Sequence, residues 1–308
     1  MSKILVTGGA GFIGSHVVDT YINAGHDVAV VDNLSSGFRN FVNSNATFYE
    51  MDVRSEGLCA IFDEVKPDVV NHLAAQIDVR RSVEEPSFDA DVNIRGSLNV
   101  LECAVKCGAR KFIFASTGGA IYGEPPDLPV SEAYWPKPIC HYGAAKYSVE
   151  HYIYLYRHLY GLDFTILRYP NVYGPRQNPH GEAGVCSILI GLMLEGKAPT
   201  LFGFGEPLRD YVYVGDIARA NLLAVEHGSG ETLNLGSGVG TSVRTIFDTL
   251  REILGFPHEP ILKELRPGEV RQIYITGDRA RSVLGWQPSI SLQEGLEKTV
   301  GHIRAAGS

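Results

Sequence analysis

The chain has 308 residues, of which 44% are hydrophobic and 20% are charged, and its formal net charge is −8 at neutral pH. That length allows one large domain or two unequal ones, each with ample core. The acidic excess offers no electrostatic footprint for nucleic acid and no attraction to anionic lipid. No apolar run approaches the length of a membrane span, and no secretory segment fits before the first predicted strand. We therefore expect a soluble, cytoplasmic protein.

Residues of the metal-ligand types are dispersed along the chain. The cysteines form an odd and scattered set: Cys59, Cys103, Cys107, Cys140 and Cys186. Cys103 and Cys107 are one helical turn apart, but no second pair of ligands accompanies them. The histidines show no paired helical spacing either. We expect thiols in the core or at the surface and no structural metal.

The chain begins with a strand, a glycine-rich turn and a helix. Ile4 to Val6 is a short run of branched apolar residues, which predicts a strand buried on both faces. An amphipathic helix begins with Phe12 and Ile13 and ends near Gly25. Between strand and helix, glycines recur at intervals of three residues: Gly8, Gly11 and Gly14. Such glycines let the backbone turn tightly and approach a pyrophosphate, whose charge is stabilised by free amides at the helix N-terminus.

The second strand supports a dinucleotide and indicates its type. Val28 to Val31 is rich in β-branched residues and ends on Asp32. A carboxylate at this place can accept hydrogen bonds from both ribose hydroxyls and would repel a 2′-phosphate. Glycines alone would also fit an ordinary α/β turn. Both strands, the helix and the acid together predict nucleotide binding, and Asp32 favours NAD over NADP.

The residues after Asp32 predict the adenosine end of that site. Asn33 begins a turn-rich segment that is suited to cover the adenosine. A third strand, Thr47 to Met51, leads to Asp52 and Val53. Polar groups just past the strand ends face the ligand crevice in this kind of sheet. Asp52 therefore either accepts from the adenine amine or is an ordinary surface carboxylate.

Strands and helices continue to alternate up to a fifth strand. A helix from Leu58 to Lys66 precedes a strand from Val69 to Ala75, and a longer helix from Phe88 to Lys106 precedes a strand from Lys111 to Ala115. The fourth strand ends in small residues that let a cofactor lie close: Leu73, Ala74 and Ala75. Asn93 in the longer helix either fixes backbone near the nicotinamide half or caps a buried turn. This alternation predicts a Rossmann-type, doubly wound parallel sheet with right-handed crossovers.

The pattern changes in the second half, which carries no second nucleotide loop. A strand from Phe164 to Leu167 leads into an irregular stretch, Tyr169 to Gly184. Beyond it we predict strands at Thr200–Phe202, Asp210–Val214 and Thr232–Leu235, and helices at Val185–Leu194, Ile217–Glu226, Val243–Leu254, Arg279–Leu284 and Leu292–Ile303. We therefore predict an NAD-binding Rossmann domain over residues 1–168 and a smaller mixed α/β substrate lobe over residues 169–308. Elements can cross this approximate boundary.

Two segments carry residues suited to proton transfer. Ser116 and Thr117 follow the fifth strand, and Tyr142 and Lys146 are one turn apart on the next predicted helix. A lysine ammonium beside a tyrosine favours the phenolate and lowers the phenol pKa from ~10 toward the working pH. A positive nicotinamide ring adds to this effect. Thr117 would then hold a substrate oxygen while Tyr142 takes its proton.

Together with several distal motifs, these residues resemble one known family along the whole chain. The matching motifs are Thr7-Gly-Gly-Ala-Gly-Phe-Ile-Gly14, Arg168-Tyr-Pro-Asn-Val-Tyr-Gly-Pro-Arg176, Arg209-Asp-Tyr-Val-Tyr-Val214 with Asp216, Asn234-Leu-Gly-Ser-Gly238, Arg266-Pro-Gly-Glu269 and Leu284-Gly-Trp286. The sequence resembles the extended short-chain dehydrogenases/reductases, and among them it is most similar to the UDP-glucose (UDP-galactose) 4-epimerases.

The resemblance implies NAD-dependent inversion at C4 of a UDP-hexose. Tyr142 would act as general base and then as general acid. Lys146 would hold the cofactor ribose and depress the pKa of Tyr142, and Thr117 would take the place of the family's serine or threonine. NAD would take a hydride from C4 and leave a 4-keto intermediate. That intermediate would swing about its diphosphate and take the hydride back on its other face.

The resemblance also implies two sets of binding residues. The cofactor set is Gly8, Gly11, Phe12, Ile13, Gly14, Asp32, Asn33, Asp52, Val53, Leu73, Ala74, Ala75, Asn93, Ser116, Tyr142, Lys146 and Tyr169. The substrate set is Thr117, Asn171, Thr200, Phe202, Arg209, Tyr211, Arg266, Glu269 and Ile273. Arg209 and Arg266 would clamp the diphosphate with their guanidinium forks, although a solvated surface charge is the commonest fate of arginine. Asn171 would donate to the same phosphates. Phe202 and Tyr211 would line the uracil. Glu269 would accept a hydrogen bond from the ribose of the uridine.

Two departures from the family pattern bear on the substrate. Gly118 and Gly119 make the loop after Thr117 one residue longer than in many bacterial epimerases, which leaves the position of the threonine hydroxyl open. Ile273 stands where strict glucose/galactose enzymes carry a bulky tyrosine. A smaller residue there suggests room for N-acetyl sugars.

Other activities remain possible on the same fold. A nucleotide-sugar 4,6-dehydratase usually carries Asp-Glu directly after the Ser/Thr, and a decarboxylase usually carries a glutamate two residues on, whereas Gly118 and Gly119 occupy these places. A non-catalytic NAD-binding sensor or a nucleic-acid-associated relative tends to lose the tyrosine or the lysine, and both are present here. The residues therefore favour an epimerase.

The resemblance further implies a homodimer. The predicted helix from Tyr147 to Tyr160 has an apolar face wide enough for a helix–helix contact. That face consists of Tyr152, Leu155, Tyr156 and Leu159. The alternative is that the face is buried against the protein's own sheet.

Overall fold

The structure is a computed structural model that describes residues 1–179, 184–265 and 270–306. Its main feature is a seven-stranded sheet in which every neighbouring pair is parallel. The strands are β1 (Lys3–Thr7), β2 (Asp27–Asp32), β3 (Thr47–Glu50), β4 (Val69–His72), β5 (Lys111–Thr117), β6 (Asp163–Tyr169) and, much later in the chain, β11 (Glu231–Asn234). Their order across the sheet is β11-β6-β5-β4-β1-β2-β3. The predicted doubly wound parallel sheet is confirmed.

Helices cover both faces of this sheet. In chain order the helices are α1 (Phe12–Asn23), α2 (Leu58–Val65), α3 (Val79–Glu84), α4 (Pro86–Ala90), α5 (Gly96–Lys106), α6 (His141–Tyr160), α7 (Val185–Leu194), α8 (Val214–Ala224), α9 (Val243–Leu254), α10 (Asp278–Leu284) and α11 (Leu292–Ala306). Alternate residues of β1 face opposite layers because side chains alternate along a strand. Ile4 and Val6 pack with α1, α8 and α10. Leu5 packs with α2, α5 and α6.

The second half builds a separate core from α7, α9 and α11, with Leu189, Phe247 and Leu296 buried at its centre. Short strands edge this core: β7 (Asn171–Tyr173), β8 (Thr200–Phe202), β9 (Leu208–Arg209), β10 (Tyr211–Tyr213), β12 (Thr241–Ser242), β13 (Ile261–Lys263) and β14 (Gln272–Ile273). They form small sheets, β10-β7, β12-β9-β14 and β13-β8. Because β11 and α8 lie on the main sheet, the chain crosses the expected boundary at residue 168 more than once.

Several elements differ from their predicted bounds. Strand β4 ends at His72 instead of Ala75, because its partner β1 ends at Thr7, where the backbone turns at Gly8. The helix predicted from Phe88 is not regular, since a π-helical turn, Asp91–Arg95, separates α4 from α5. Strand β7 begins inside the stretch that we expected to be irregular. Helix α3 was not predicted at all.

The cysteine prediction is wrong for two residues. Cys59 on α2 and Cys103 on α5 form a disulfide, because these helices pack side by side on one face of the sheet. Their separation of 44 residues carries no pairing signal. Cys107, Cys140 and Cys186 are free thiols. In the described part of the chain, no helix has the length and apolar composition needed to cross a membrane.

Candidate active site

The glycine turn leaves the N-terminus of α1 open for an anion. Gly8 has a φ of +73°, and a Cβ there would lie 2.6 Å from the backbone nitrogen of Ala74. A Cβ at Gly14 would overlap the carbonyl of Gly8. Gly11 caps α1 without any side-chain hydrogen bond, so its own side chain leaves the first amides of the helix, those of Phe12 and Ile13, open. Free amides at a helix N-terminus suit a pyrophosphate.

Asp32 ends β2 directly beside this turn. The side chain is buried, and its two oxygens accept from the backbone nitrogens of Ala10 (2.9 Å) and Leu34 (2.8 Å). Burial raises the pKa of Asp32, and these two bonds oppose the rise. Each carboxylate oxygen keeps a second lone pair. The arrangement therefore fits a carboxylate that accepts ribose hydroxyls.

Asp52, expected near the adenine, is engaged by other side chains. Its oxygens accept from Arg54 at 2.8 and 2.9 Å and from the amide of Asn33 at 2.8 Å. Arg54 holds the pKa of Asp52 well below its usual range and also contacts Asp91 at 2.8 Å. Asp52 is thus part of a charged cluster rather than an isolated surface carboxylate. Val53 is buried in the core.

The backbone after β4 is held by Asn93 from the π-helical turn. Asn93 is 2% exposed. Its side-chain oxygen accepts from the nitrogen of Gln76 at 3.0 Å, and its side-chain nitrogen donates to the Gln76 carbonyl at 2.9 Å. Of the two alternatives for Asn93, the structure supports the fixing of backbone. The held segment directly follows the half-buried residues Leu73, Ala74 and Ala75.

Thr117, Tyr142 and Lys146 come together at the carboxyl end of β5. Helix α6 begins at His141, so Tyr142 and Lys146 lie one turn apart on it. Gly143 lies so close to the carbonyl of Ala120 that a Cβ would overlap it, and this contact holds the start of α6 against the loop after β5. Thr117 hydrogen-bonds to the phenol of Tyr142 and lowers its pKa. Lys146 is buried and donates to the Ala115 carbonyl at 3.0 Å.

The predicted lowering of the Tyr142 pKa is wrong for this structure. Burial raises the pKa of Tyr142 above its ordinary value and outweighs the hydrogen bond from Thr117. Burial also lowers the pKa of Lys146 to about 8, and the charges of Asp89 and Glu150 oppose that change. The sequence argument considered only favourable charges, those of Lys146 and of the nicotinamide ring, whereas desolvation of Tyr142 and Lys146 dominates in this structure.

The longer glycine loop positions Thr117 in a defined way. The Thr117 hydroxyl accepts from the nitrogen of Ala120 at 3.2 Å. Gly118 packs so tightly on Ile275 that a side chain would overlap it, and its nitrogen donates to the Tyr169 carbonyl at 2.7 Å. A Cβ on Gly119 would lie 3.6 Å from the side-chain oxygen of Asn171. Gly119 therefore faces the candidate site, and Gly118 faces the core.

Two residues of the predicted cofactor set are directed elsewhere. The Ser116 hydroxyl donates to Glu150 at 2.6 Å, and Glu150 forms a buried ion pair with Arg168 at 2.6 Å. The Tyr169 hydroxyl bonds to the side chain of buried Asn221. Both residues stand on strands whose side chains alternate between faces, and the sequence did not indicate which face each one takes.

On the substrate side, Asn171 and Tyr211 are neighbours because β7 pairs with β10. Both line a small cavity together with Gln177 and Cys186. Thr200 and Phe202 are half-buried on β8, which pairs with β13.

Arg209 donates to the carbonyls of Leu208 (2.9 Å) and Val270 (2.6 Å). Arg209 therefore donates to backbone carbonyls, one of them on Val270 directly after residues 266–269. Arg209 is not a solvated surface charge. Arg266 and Glu269 lie outside the described residues.

Ile273 on β14 is a buried residue. It is 2% exposed and packs with Ile121, Tyr122, Val130 and Ile275. Residues of the loop between β5 and α6 cover Ile273 on β14, and the place of Ile273 in the sugar pocket stays a prediction. No pattern in the sequence indicated the contact between this loop and Ile273.

The sequence reasoning missed three residues around the site: Gln76, Asp89 and Glu150. Gln76 and Asp89 bond to each other and to Asn93, and Glu150 holds Ser116 and Arg168. An acid one turn after Lys146 was an available signal for Glu150. Within the described residues, no group of three or more His, Cys, Asp or Glu side chains could hold a metal ion.

The parallel sheet, the open helix N-terminus, the acid after β2 and the buried tyrosine–lysine pair after β5 define a dinucleotide-dependent enzyme of the short-chain dehydrogenase type. The model of the NAD dependent epimerase/dehydratase family matches residues 4–236. The chain therefore belongs to this family.

Relatives align over nearly the whole chain. A putative UDP-glucose 4-epimerase of Methanocaldococcus jannaschii is 48% identical over 98% of both chains. The crystal structure of UDP-glucose 4-epimerase from Thermotoga maritima with UDP-glucose has a TM-score of 0.97 and 52% identity over 99% of both chains. The Thermus thermophilus UDP-glucose 4-epimerase in complex with NAD has a TM-score of 0.93 and 43% identity, covering 98% of this chain and 99% of that one.

Proposed function

We propose that the protein catalyses the NAD-dependent 4-epimerisation of a UDP-hexose, with UDP-glucose and UDP-galactose as the interconverted pair. The cluster of Thr117, Tyr142 and Lys146 is the observation that carries this proposal. It lies at the same edge of the sheet as the glycine turn after β1, because the carboxyl ends of parallel strands meet there. Similarity along almost the whole chain to proteins named UDP-glucose 4-epimerase supports the reaction.

The glycine turn and Asp32 fit NAD. Gly8, Gly11 and Gly14 would lie against its pyrophosphate, which the open amides of α1 would bind, and Asp32 would accept from its adenosine ribose. Lys146 would donate to the other ribose. When bound, NAD would supply the acceptor for the hydride from C4 of the sugar and the donor for its return.

Tyr142 would remove the proton of the sugar 4-hydroxyl while Thr117 donates to the same oxygen. The ammonium of Lys146 would stabilise the phenolate that Tyr142 presents in the first half-reaction. In the second half-reaction Tyr142 would return the proton to the 4-oxygen. Burial of the pair excludes water, so that the proton stays between substrate and enzyme.

The second lobe, residues 169–308, would hold the nucleotide. Asn171 and Tyr211 would face the diphosphate and the uracil from β7 and β10. Thr200 and Phe202 would complete the uracil side, and Arg209, Arg266 and Glu269 would bind the diphosphate and ribose. In this division residues 1–168 provide the cofactor half, although β11 and α8 return to that half.

A dehydratase or decarboxylase is less well supported. Elimination or decarboxylation needs an additional acid or base beside the sugar, and the two places for it hold Gly118 and Gly119. Gly118 is packed against Ile275, so that only Gly119 has room for a side chain toward the substrate. A position without a side chain supplies neither group.

The test is an assay of purified protein with UDP-galactose, UDP-N-acetylglucosamine and UDP-glucuronate as separate substrates, without added NAD. We expect UDP-glucose from UDP-galactose, because the cofactor ends each turnover unchanged and can remain bound. Product from UDP-N-acetylglucosamine would extend the substrate range to N-acetyl sugars. Absence of any C4 epimer from every substrate, with or without added NAD, would refute the proposal.

We also infer that the protein is a homodimer that uses the apolar face of α6. Tyr152, Leu155 and Leu159 on this face are 38%, 45% and 63% exposed. Tyr156 instead packs partly against the core. Burial against the protein's own sheet therefore accounts for one of the four residues. The cytoplasmic location stays a prediction from the sequence.

A further inference from the structure

A chain of buried hydrogen bonds runs from β1 through β4 to α5, at the edge of the sheet where the candidate active site lies. His72, the last residue of β4, is at the centre of this chain and is 1% exposed. Its Nδ1 lies 2.6 Å from the hydroxyl of Thr7, the last residue of β1. Its Nε2 lies 2.8 Å from the hydroxyl of Ser97 on α5. The proposed mechanism uses none of these three side chains.

The other partners of the two hydroxyls fix the direction of each bond. The Ser97 hydroxyl donates its proton to the Asn93 carbonyl at 2.6 Å, so toward His72 it can only accept. Nε2 of His72 therefore carries a proton. The Thr7 hydroxyl accepts from the backbone nitrogen of Ala74 at 3.3 Å and can donate its own proton to Nδ1. A second proton on the ring, at Nδ1, would remove that acceptor from the Thr7 hydroxyl.

The surroundings of His72 hold the ring in place and keep it neutral. It stacks on the Phe114 ring and packs at an angle on the Phe112 ring, with both ring centres 5.9 Å away. Burial, together with the charge of Lys146, lowers the pKa of His72 to about 3. A neutral imidazole has one donor and one acceptor. These match the two hydroxyls on either side of the ring.

One end of the chain holds the backbone that follows β4. The carbonyl of Thr7 accepts from the nitrogen of Leu73 at 3.1 Å, and the Thr7 hydroxyl accepts from the next nitrogen, that of Ala74. This backbone lies against the glycine turn, since a Cβ on Gly8 would be 2.6 Å from the Ala74 nitrogen. Under the proposed function, Ala74 thus forms part of the wall of the cofactor site.

The other end of the chain reaches the same backbone through the π-helical turn. Ser97 donates to the carbonyl of Asn93, and the side chain of Asn93 makes two bonds to the backbone of Gln76. His72 therefore joins the residue that holds the start of this backbone segment to the residue that holds its end. A polar chain with every bond satisfied favours one defined arrangement of a buried region.

We propose that His72 is a positioning residue for the cofactor, which as the Nε2-protonated tautomer joins Thr7 to Ser97 and so keeps the backbone of residues 73–76 in one shape against NAD. This inference rests on the proposed function. His72 does not itself act on the sugar; it acts through the backbone that it holds. Because a preorganised site lowers the cost of ordering on binding, the chain should slow the release of NAD.

The first test observes the tautomer in the wild-type protein and needs no turnover. In protein labelled with 15N at the histidine rings, the His72 ring is identified in NMR spectra by its through-space contacts with Phe112 and Phe114. We expect a proton on Nε2 and none on Nδ1 at pH 7. A proton on Nδ1, alone or together with one on Nε2, would overturn the inference even if the epimerase assay succeeds.

The second test measures how fast NAD leaves the holoenzyme after dilution, with Thr165→Val as matched control for Thr7→Val. Both threonines are 0% exposed on strands of the main sheet, but the Thr165 hydroxyl donates to the Gly228 carbonyl, which precedes β11 at the amino ends of the strands. We expect Thr7→Val to release NAD roughly fivefold faster, the order that the net contribution of one hydrogen bond gives. Thr165→Val should match wild type, and Thr7→Ser, which keeps the hydroxyl, should restore slow release. Equal rates in the two valine variants would overturn the inference.

A double variant tests whether Thr7 and His72 act as one chain. His72→Phe keeps the aromatic packing and removes both bonds of the ring. Release of NAD from Thr7→Val/His72→Phe should be about as fast as from the faster single variant, because residues in one hydrogen-bond network are not additive. Multiplied effects in the double variant would overturn the inference, while wild-type turnover would leave the proposed function intact.

Discussion

At the scale of single residues, the site depends on burying groups that prefer water. Tyr142 and Lys146 are both desolvated, and desolvation moves their pKa values in opposite directions. The phenolate–ammonium form that the reaction requires is thus disfavoured by the protein alone. Thr117 lowers the pKa of Tyr142, and the charges of Asp89 and Glu150 raise that of Lys146, but the charge of Asp89 also raises the pKa of Tyr142.

Replacing Tyr142 by phenylalanine tests its role as acid and base. Tyr142→Phe should lower kcat by ~10²–10⁴-fold, the usual contribution of one positioned proton-transfer group. Tyr154→Phe on the same helix is the matched control, since Tyr154 is 64% exposed. Turnover is measured with UDP-galactose, and circular dichroism checks the fold. Turnover of Tyr142→Phe that equals the control would reject the assigned role.

Replacing Lys146 tests the cost of its burial. Its pKa falls from 10.5 to about 8 on folding, so the native state binds fewer protons than the unfolded chain between these values. The penalty is fully present below pH 8 and is relieved as the pH rises toward 10.5. Lys146→Met should abolish turnover yet raise the free energy of unfolding at pH 7 by up to ~3 kcal/mol, less the lost bond to Ala115.

The control is the comparison of wild type with Lys146→Met over a range of pH. Denaturant unfolding of wild type should show stability rising from pH 8 to pH 10 relative to Lys146→Met, because only the wild type carries this lysine. A stability difference that stays constant over that range would contradict the assigned pKa.

At the scale of elements, helix α6 joins the reacting residues to the frame. Its first two turns carry Tyr142 and Lys146, and its third turn carries Glu150. Glu150 accepts from Ser116 on β5 and from Arg168 on β6. Arg168 also donates to the Tyr122 hydroxyl at 2.7 Å. One buried charge network therefore holds α6 against two strands and the loop after β5.

Removing one partner of this network should be more harmful than removing both. Arg168→Met leaves Glu150 charged and buried, which typically costs about 3–5 kcal/mol. The double variant Arg168→Met/Glu150→Leu leaves no unpaired buried charge and should recover much of that loss. The measurement is equilibrium unfolding of wild type, both single variants and the double variant. Additive losses in the double variant would show that the two residues act independently.

At the scale of the whole molecule, the two halves are interlocked. Asp210, between β9 and β10, accepts from the backbone of Ser237 after β11 and from the nitrogen of Ile275 after β14. Asp216 on α8 likewise accepts from Ser289 and Ile290. These bonds tie the second lobe to the edge of the main sheet.

The proposed dimer belongs to this scale. Leu159→Glu places a charge on the exposed apolar face of α6 and should convert dimer to monomer in light scattering coupled to size exclusion, because burying an unpaired charge in an interface is unfavourable. Leu194→Glu on α7, at a site 38% exposed and far along the chain, is the control. A wild type that is monomeric at micromolar concentration would remove the dimer proposal.

The sequence predicted the elements best where a strong local pattern decides them. Strand β8 and helices α7 and α9 have their predicted bounds, because each is a short apolar run or an amphipathic run with clear ends. The π-helical turn around Asn93 escaped prediction, since helical spacing in the sequence does not register one extra residue per turn. Helix α3 is short and both of its apolar residues, Val79 and Val83, are exposed, so it lacks an amphipathic signal.

The sequence by itself determined the dinucleotide loop, Asp32 and the Tyr142–Lys146 pair, because each depends on spacing within one strand–turn–helix unit or one helical turn. Only the tertiary structure decided that Cys59 pairs with Cys103, that Ser116 donates to Glu150, that Ile273 is buried, and that Asp89 accepts from Gln76 and Asn93. These features join segments far apart in the chain. Burial, which sets the pKa values at the site, is likewise a property of the packed whole and not of any local pattern.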